Sequence, residues 1–144
     1  MTMNISQTDD KKAIIQSFFK DKRILIIEDD AFLGGILYRY MTDLKINVDL
    51  ATNGEDATQL IEKNIPDIII LDIFLPGMNG LDLLESFRKT KISQNIPVLI
   101  VSNTDQSKDR EKAEKLGAEI VLKAMVTPGN ILEKLYEILS SKVK

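Results

Sequence analysis

Ile68-Ile69-Ile70-Leu71-Asp72 is a run of four branched apolar residues followed at once by a carboxylate. A run without alternation reads as a strand covered on both faces, as in a parallel sheet held between helical layers; a strand with one wet face would alternate apolar and polar residues. Ile24–Ile27 and Val98–Val101 read the same way, and Val48–Ala51 and Ile120–Leu122 complete five short apolar runs.

Helical patterns fall between the runs. Leu33, Ile36, Leu37, Tyr40, Met41 and Leu44 recur at steps of three and four, which predicts a helix over 31–44 that Gly34 and Gly35 weaken. Ala57, Leu60, Ile61 and Ile65 follow Asn53-Gly54, and Leu81, Leu84 and Phe87 follow the turn-forming stretch 76–80. Around 106–116 the charged residues leave only Ala113 and Leu116 to face a core, so this helix is expected to be the most exposed and most mobile. The last helix opens on Thr127 as N-cap with Pro128 at the first helical position. It carries Ile131, Leu135, Ile138 and Leu139 on one face, and its end is expected to fray over 140–144. Strands alternating with helices five times predict an α/β, doubly wound five-stranded parallel sheet in the order 2-1-3-4-5.

At 144 residues the chain is one domain, 22–144, with an extension over 1–21. In that extension Ile14, Ile15, Phe18 and Phe19 could share one side of a short helix, and a loose tail is the open alternative. A hydrophobic fraction of 44% and a charged fraction of 28% are ordinary for a globular core. The net charge of −3 offers no broad positive field, so direct nucleic-acid binding is not expected. The absence of histidine excludes Ser-His-Asp chemistry and histidine-ligated zinc, and the absence of cysteine excludes thiol catalysis. Any reaction must use carboxylates, hydroxyls and lysines. With no signal-peptide pattern and no run of about 18 apolar residues, a cytoplasmic protein without membrane attachment is expected.

In such a sheet ligands bind beyond the carboxyl ends of the strands, near the point where strand order reverses. The first strand ends in Glu28-Asp29-Asp30, the third in Asp72, the fourth in Ser102 and the fifth in Lys123. Adjacent first and third strands bring Glu28, Asp29 and Asp72 together. Carboxylates within about 4 Å of one another call for a counter-charge. With only oxygen ligands on offer, the cation is Mg2+ or a similar divalent ion. Lys123 adds a fixed positive charge and Ser102 a hydroxyl donor, which describes a pocket for a dianionic phosphoryl group beside a nucleophilic carboxylate.

The stretches 24–30, 69–80, 97–102 and 121–123 resemble, in order and spacing, the receiver domain of two-component response regulators, over about 22–141. The resemblance implies a flavodoxin-like (βα)5 fold and a phosphoacceptor signalling protein, not an enzyme acting on a separate substrate. It makes Asp72 the phosphoacceptor, Glu28 and Asp29 the acidic pair, and Asp29, Asp72 and the backbone carbonyl of Phe74 the protein ligands of Mg2+. Ser102 takes the switch-hydroxyl position and Lys123 the lysine position; Asp30 is assigned to helix capping. The implied donor is a phosphohistidine on a sensor histidine kinase or a histidine phosphotransfer protein. A stand-alone receiver, monomeric or weakly dimeric, would then signal to a downstream protein by phosphorylation-dependent contact or onward transfer.

Three positions depart from the family pattern. Ile120 stands where an aromatic residue is usual, so coupling through a reorienting ring is not carried over. Ala124 stands where proline usually follows the lysine, so a cis peptide is not carried over either. Asn103 replaces a small residue after the switch hydroxyl and is expected to narrow access to the phosphoryl group. A haloacid-dehalogenase-type hydrolase would need a second acid where Phe74 stands, and a flavin carrier would need a Ser/Thr/Gly-rich loop after Ile27. A receiver-shaped adaptor working without phosphorylation is the remaining alternative.

Overall fold

The computed structural model describes residues 3–141 of the chain, with side chains described from Asp10 onward. Five parallel strands, β1 (Arg23–Ile27), β2 (Asn47–Ala51), β3 (Ile68–Leu71), β4 (Val98–Ser102) and β5 (Glu119–Leu122), form one sheet in the order β2-β1-β3-β4-β5. This is the expected topology, and β1 and β3 are adjacent at its centre. The helices are α1 (Met3–Phe18), α2 (Ala31–Asp43), α3 (Gly54–Lys63), α4 (Gly80–Lys89), α5 (Ser107–Lys115) and α6 (Pro128–Ser140).

Successive side chains of a strand point to opposite faces, so each unbroken apolar run feeds two cores at once. Leu25, Ile27, Ile69, Leu71, Val98 and Ile100 pack with Ala57 and Ile61 of α3, Leu81, Leu84 and Phe87 of α4, and Ala113 of α5. Ile24, Ile26, Ile68, Ile70, Leu99 and Val101 pack on the other face with Ile15 of α1, Leu37 and Met41 of α2, and Leu135 of α6. Burying each of these side chains fully contributes about 1.5–3 kcal/mol, which makes the central strands the stable frame on which the loops sit.

Several local readings change. Ile15 of α1 and Phe19, in the turn just after it, are buried while Ile14 is 55% exposed. Residues 14 and 18 lie about a quarter-turn from 15 and 19 on a helix, so the four residues do not all face the core. Phe18 is partly buried against the same core and meets the rings of Phe19 and Tyr136 edge-on. Ile65 lies outside α3, which stops at Lys63, because Pro66 drives the residue before it away from helical geometry. Ile36 is 38% exposed, off the buried stripe of α2. A Cβ at Gly34 would lie 3.2 Å from the end of the Leu50 side chain, which would have to shift by a few tenths of an ångström to admit it. The expected fraying over 140–144 falls partly outside the described residues, since α6 runs through Ser140 and residues 142–144 are not described.

The stretch after β3 folds into a tight two-residue ladder, Phe74–Leu75 against Met78–Asn79, turned by Gly77 at φ +68°. Gly80 closes it, its N–H donating to the Ile73 carbonyl at 2.6 Å. A Cβ on Gly80 would come 2.2 Å from the Asp72 carbonyl oxygen and 2.8 Å from the Ile73 Cα. Both are backbone atoms that cannot step aside cheaply. Gly80→Ala is therefore expected to cost about 2 kcal/mol or more and to displace the loop that follows Asp72. A urea midpoint equal to wild type would contradict this close approach.

Candidate functional site

The strand ladders continue one residue beyond β1 and β3. The Glu28 N–H donates to the Ala51 carbonyl at 2.9 Å, and the Asp72 N–H to the Ile27 carbonyl at 3.1 Å. The two carboxylates are thus carried by fixed backbone at the carboxyl edge of the sheet, each 4% exposed. Asp29 follows Glu28 on the exposed side, and one carboxylate oxygen from each of Glu28, Asp29 and Asp72 lies within 4.8 Å of the others.

Lys123, just past β5, reaches into this cluster. Its Nζ lies 2.9 Å from Glu28 Oε1 and 3.2 Å from Asp72 Oδ2. The other Asp72 oxygen, Oδ1, accepts the Phe74 N–H at 3.3 Å, and Glu28 Oε2 accepts the Asp30 N–H at 3.1 Å. Burial pushes the Glu28 carboxyl above its ordinary range, against the hydrogen bond from Lys123, and the neighbouring Asp72 charge adds to the rise. Burial also works against the Lys123 ammonium, but the hydrogen bond to Glu28 and the charges of Asp72 and Glu28 outweigh it and hold the lysine above its usual value.

Three carboxylates facing one ammonium leave a formal surplus of two negative charges when all are ionised. The donor set is all oxygen and opens to solvent through Asp29, which fits a hard divalent cation such as Mg2+. Ser102 supplies a second test of fit. Its residue is fully buried, and among the described residues its Oγ is a buried side-chain polar atom with no hydrogen-bond partner. An orphan hydroxyl costs stability unless something meets it.

The structure therefore brings Glu28, Asp29, Asp72 and Lys123 together, with Ser102 at the end of the adjacent β4. The side chain of Phe74 is 60% exposed and points no polar group at the site. Asp30 caps α2, its Oδ1 accepting the N–H groups of Phe32 and Leu33. Thr104 is a buried residue that the sequence analysis does not single out. Its hydroxyl donates to the Asp109 carboxylate and accepts the Gln106 N–H, tying the loop after β4 to α5. A threonine three residues before a charged helical run is the signal that could have found it. Asn103 Oδ1 accepts the Ala124 N–H at 2.9 Å, across from the loop of β4 to the turn after β5.

The chain is 39% identical over 114 residues to Regulator of RpoS from Escherichia coli K12, covering 79% of this chain and 33% of that protein. It is 37% identical over 117 residues to the nitrate/nitrite response regulator protein NarL of the same organism, covering 79% and 53%. The chain thus spans about a third to a half of the length of these curated relatives. Among solved structures, a CheY-like response regulator receiver domain protein from Methanospirillum hungatei superposes with a TM-score of 0.76 at 26% identity, covering 83% of this chain and 94% of that one. A response regulator from Chloroflexus aurantiacus gives 0.74 at 27%, covering 83% and 98%. The family match itself runs over residues 24–136, from the first central strand into the last helix and across every strand end described above, so the chain belongs to the response regulator receiver domain family.

Proposed function

We propose that Asp72 accepts a phosphoryl group from a phosphohistidine on a sensor histidine kinase or a histidine phosphotransfer protein, and that the acyl phosphate changes which protein the chain binds. The observation that supports this best is the convergence of Asp72, Lys123 and the Glu28–Asp29 pair, with the buried Ser102 hydroxyl at the end of the adjacent β4. In the transfer, one Asp72 carboxylate oxygen forms a bond to phosphorus as the phosphorus–nitrogen bond breaks, and the electron pair leaves with the imidazole. Lys123 neutralises charge on the transferring group, so the chain contributes mainly positioning and electrostatics. Asp29, Asp72 and the Phe74 carbonyl would hold Mg2+, with Glu28 behind them. When bound, the metal supplies charge neutralisation at the phosphoryl oxygens.

The donor histidine is external, because the chain has none. Large apolar side chains beyond the carboxyl ends of β1, β3 and β5 offer a surface for a protein donor: Phe32, in the first turn of α2, is 78% exposed, Phe74 60% and Met125 76%. Among the described residues, no helix is long and apolar enough to cross a membrane. We place the protein in the cytoplasm, where such donors act.

Incubation with acetyl phosphate, followed by intact-mass measurement, tests the reading: one phosphoryl group should appear with Mg2+ and disappear with a chelator. No label under either condition would favour the phosphorylation-independent adaptor. Asp29 carries the metal assignment. Asp29→Ala is expected to weaken Mg2+ binding roughly 10- to 100-fold without unfolding the chain, since its side chain is exposed. A calorimetric Mg2+ titration unchanged from wild type would remove Asp29 from the ligand set.

A further inference from the structure

β4 and β5 pair in register as far as Ser102 opposite Leu122, where the ladder ends. The next residues on either side are Asn103 and Lys123, one following the partnerless hydroxyl and the other reaching into the acidic cluster. With the backbone ladder finished, a side chain makes the next cross-link: Asn103 Oδ1 accepts the Ala124 N–H at 2.9 Å. That donor exists only because residue 124 is not proline.

We propose that Asn103 is a positioning residue that couples the strand end carrying Ser102 to the Lys123–Met125 turn, so that the two shift together when Asp72 is modified. The inference rests on Asp72 being the phosphoacceptor. Three further observations support it. Ile120 packs, partly buried, against the core on the α3–α5 side, and beyond the Ser102–Leu122 pair the Asn103 link carries the connection from β4 to the turn after β5. Thr104, the next residue, is tied to Asp109 of α5, so the short loop joins β5 on one side and α5 on the other. The turn that Asn103 grips ends in Met125, 76% exposed, where its motion is presented to solvent and to any partner. Movement of Ser102 toward Asp72 would draw Asn103, and through the Ala124 N–H the turn bearing Lys123 and Met125.

The test compares wild type with Asn103→Ala, Ala124→Pro and the double variant. The readouts are exchange of the Ala124 amide, the rate of labelling by acetyl phosphate with Mg2+, and the Met125 methyl resonance before and after labelling. In Asn103→Ala the Ala124 amide should exchange faster, labelling should slow roughly 3- to 10-fold, and the Met125 response should be lost with little change in urea midpoint. The double variant should be no slower than the slower single variant, because both substitutions remove the same bond. If Ala124→Pro does not fold, Asn103→Asp decides, since its retained acceptor oxygen should restore amide protection and the Met125 response. Unchanged Ala124 exchange in Asn103→Ala, additive rate losses, or a Met125 shift that persists without Asn103 would each overturn the link while leaving the acceptor reading standing. A wild-type protein that takes no label would overturn the acceptor reading and this inference with it.

Discussion

Asp72→Asn is expected to abolish labelling by a small phosphodonor, a fall of at least about three orders of magnitude in rate. The substitution exchanges a nucleophilic carboxylate oxygen for an amide and changes little else. The Asn carbonyl can still accept the Phe74 N–H that Asp72 Oδ1 accepts now, and Lys123 keeps Glu28 at 2.9 Å. One negative charge leaves a crowded cluster, so the urea midpoint should hold or rise while Mg2+ affinity falls. Intact-mass measurement reads the label and a urea titration reads the fold. Label retained at the wild-type level on a folded variant would refute the acceptor assignment.

Lys123→Ala should have the second-largest effect, and on two quantities at once. The ammonium pairs with Glu28 and Asp72, both nearly buried, so its removal leaves carboxylates without their cation. Breaking such a pair from one side costs about 3 kcal/mol. Labelling should slow by about two to three orders of magnitude, the usual consequence of losing a preorganised charge at a transferring group. The more negative site should also bind Mg2+ more tightly, so Mg2+ should raise the melting temperature of the variant more than that of wild type. Calorimetry with and without Mg2+ separates the effects. Wild-type labelling with unchanged stability would reduce Lys123 to a surface charge.

Much of this architecture is legible in short-range patterns. The runs 24–27, 68–71 and 98–101 announce buried parallel strands because each must fill two cores, and the polar residues that end them mark the functional rim. What short-range patterns miss depends on three-dimensional approach. Of the apolar residues 14, 15, 18 and 19, only Ile14 stays exposed, and which side is buried follows from α1 lying against α6. Gly80 reads as a turn residue, yet its requirement comes from the backbone at 72–73 pressing on it. Arg88, near the end of α4, is not singled out in the sequence. It donates to the Leu116 and Ile96 carbonyls, each at 2.7 Å, stitching α4 to the chain on either side of β4 and α5. Asn103 reads as a bulky neighbour of the switch hydroxyl, and only the register of β4 and β5 reveals the N–H it meets.

A crystal structure of the protein grown with Mn2+, an anomalous scatterer in place of Mg2+, and with trifluoroberyllate as a phosphoryl mimic addresses the central claim most directly. One anomalous peak is expected among Asp29, Asp72 and the Phe74 carbonyl, with a tetrahedral group on Asp72 touching both the Ser102 hydroxyl and the Lys123 ammonium. A saturated crystal with no metal between Asp29 and Asp72, or with the mimic bound elsewhere, would contradict it.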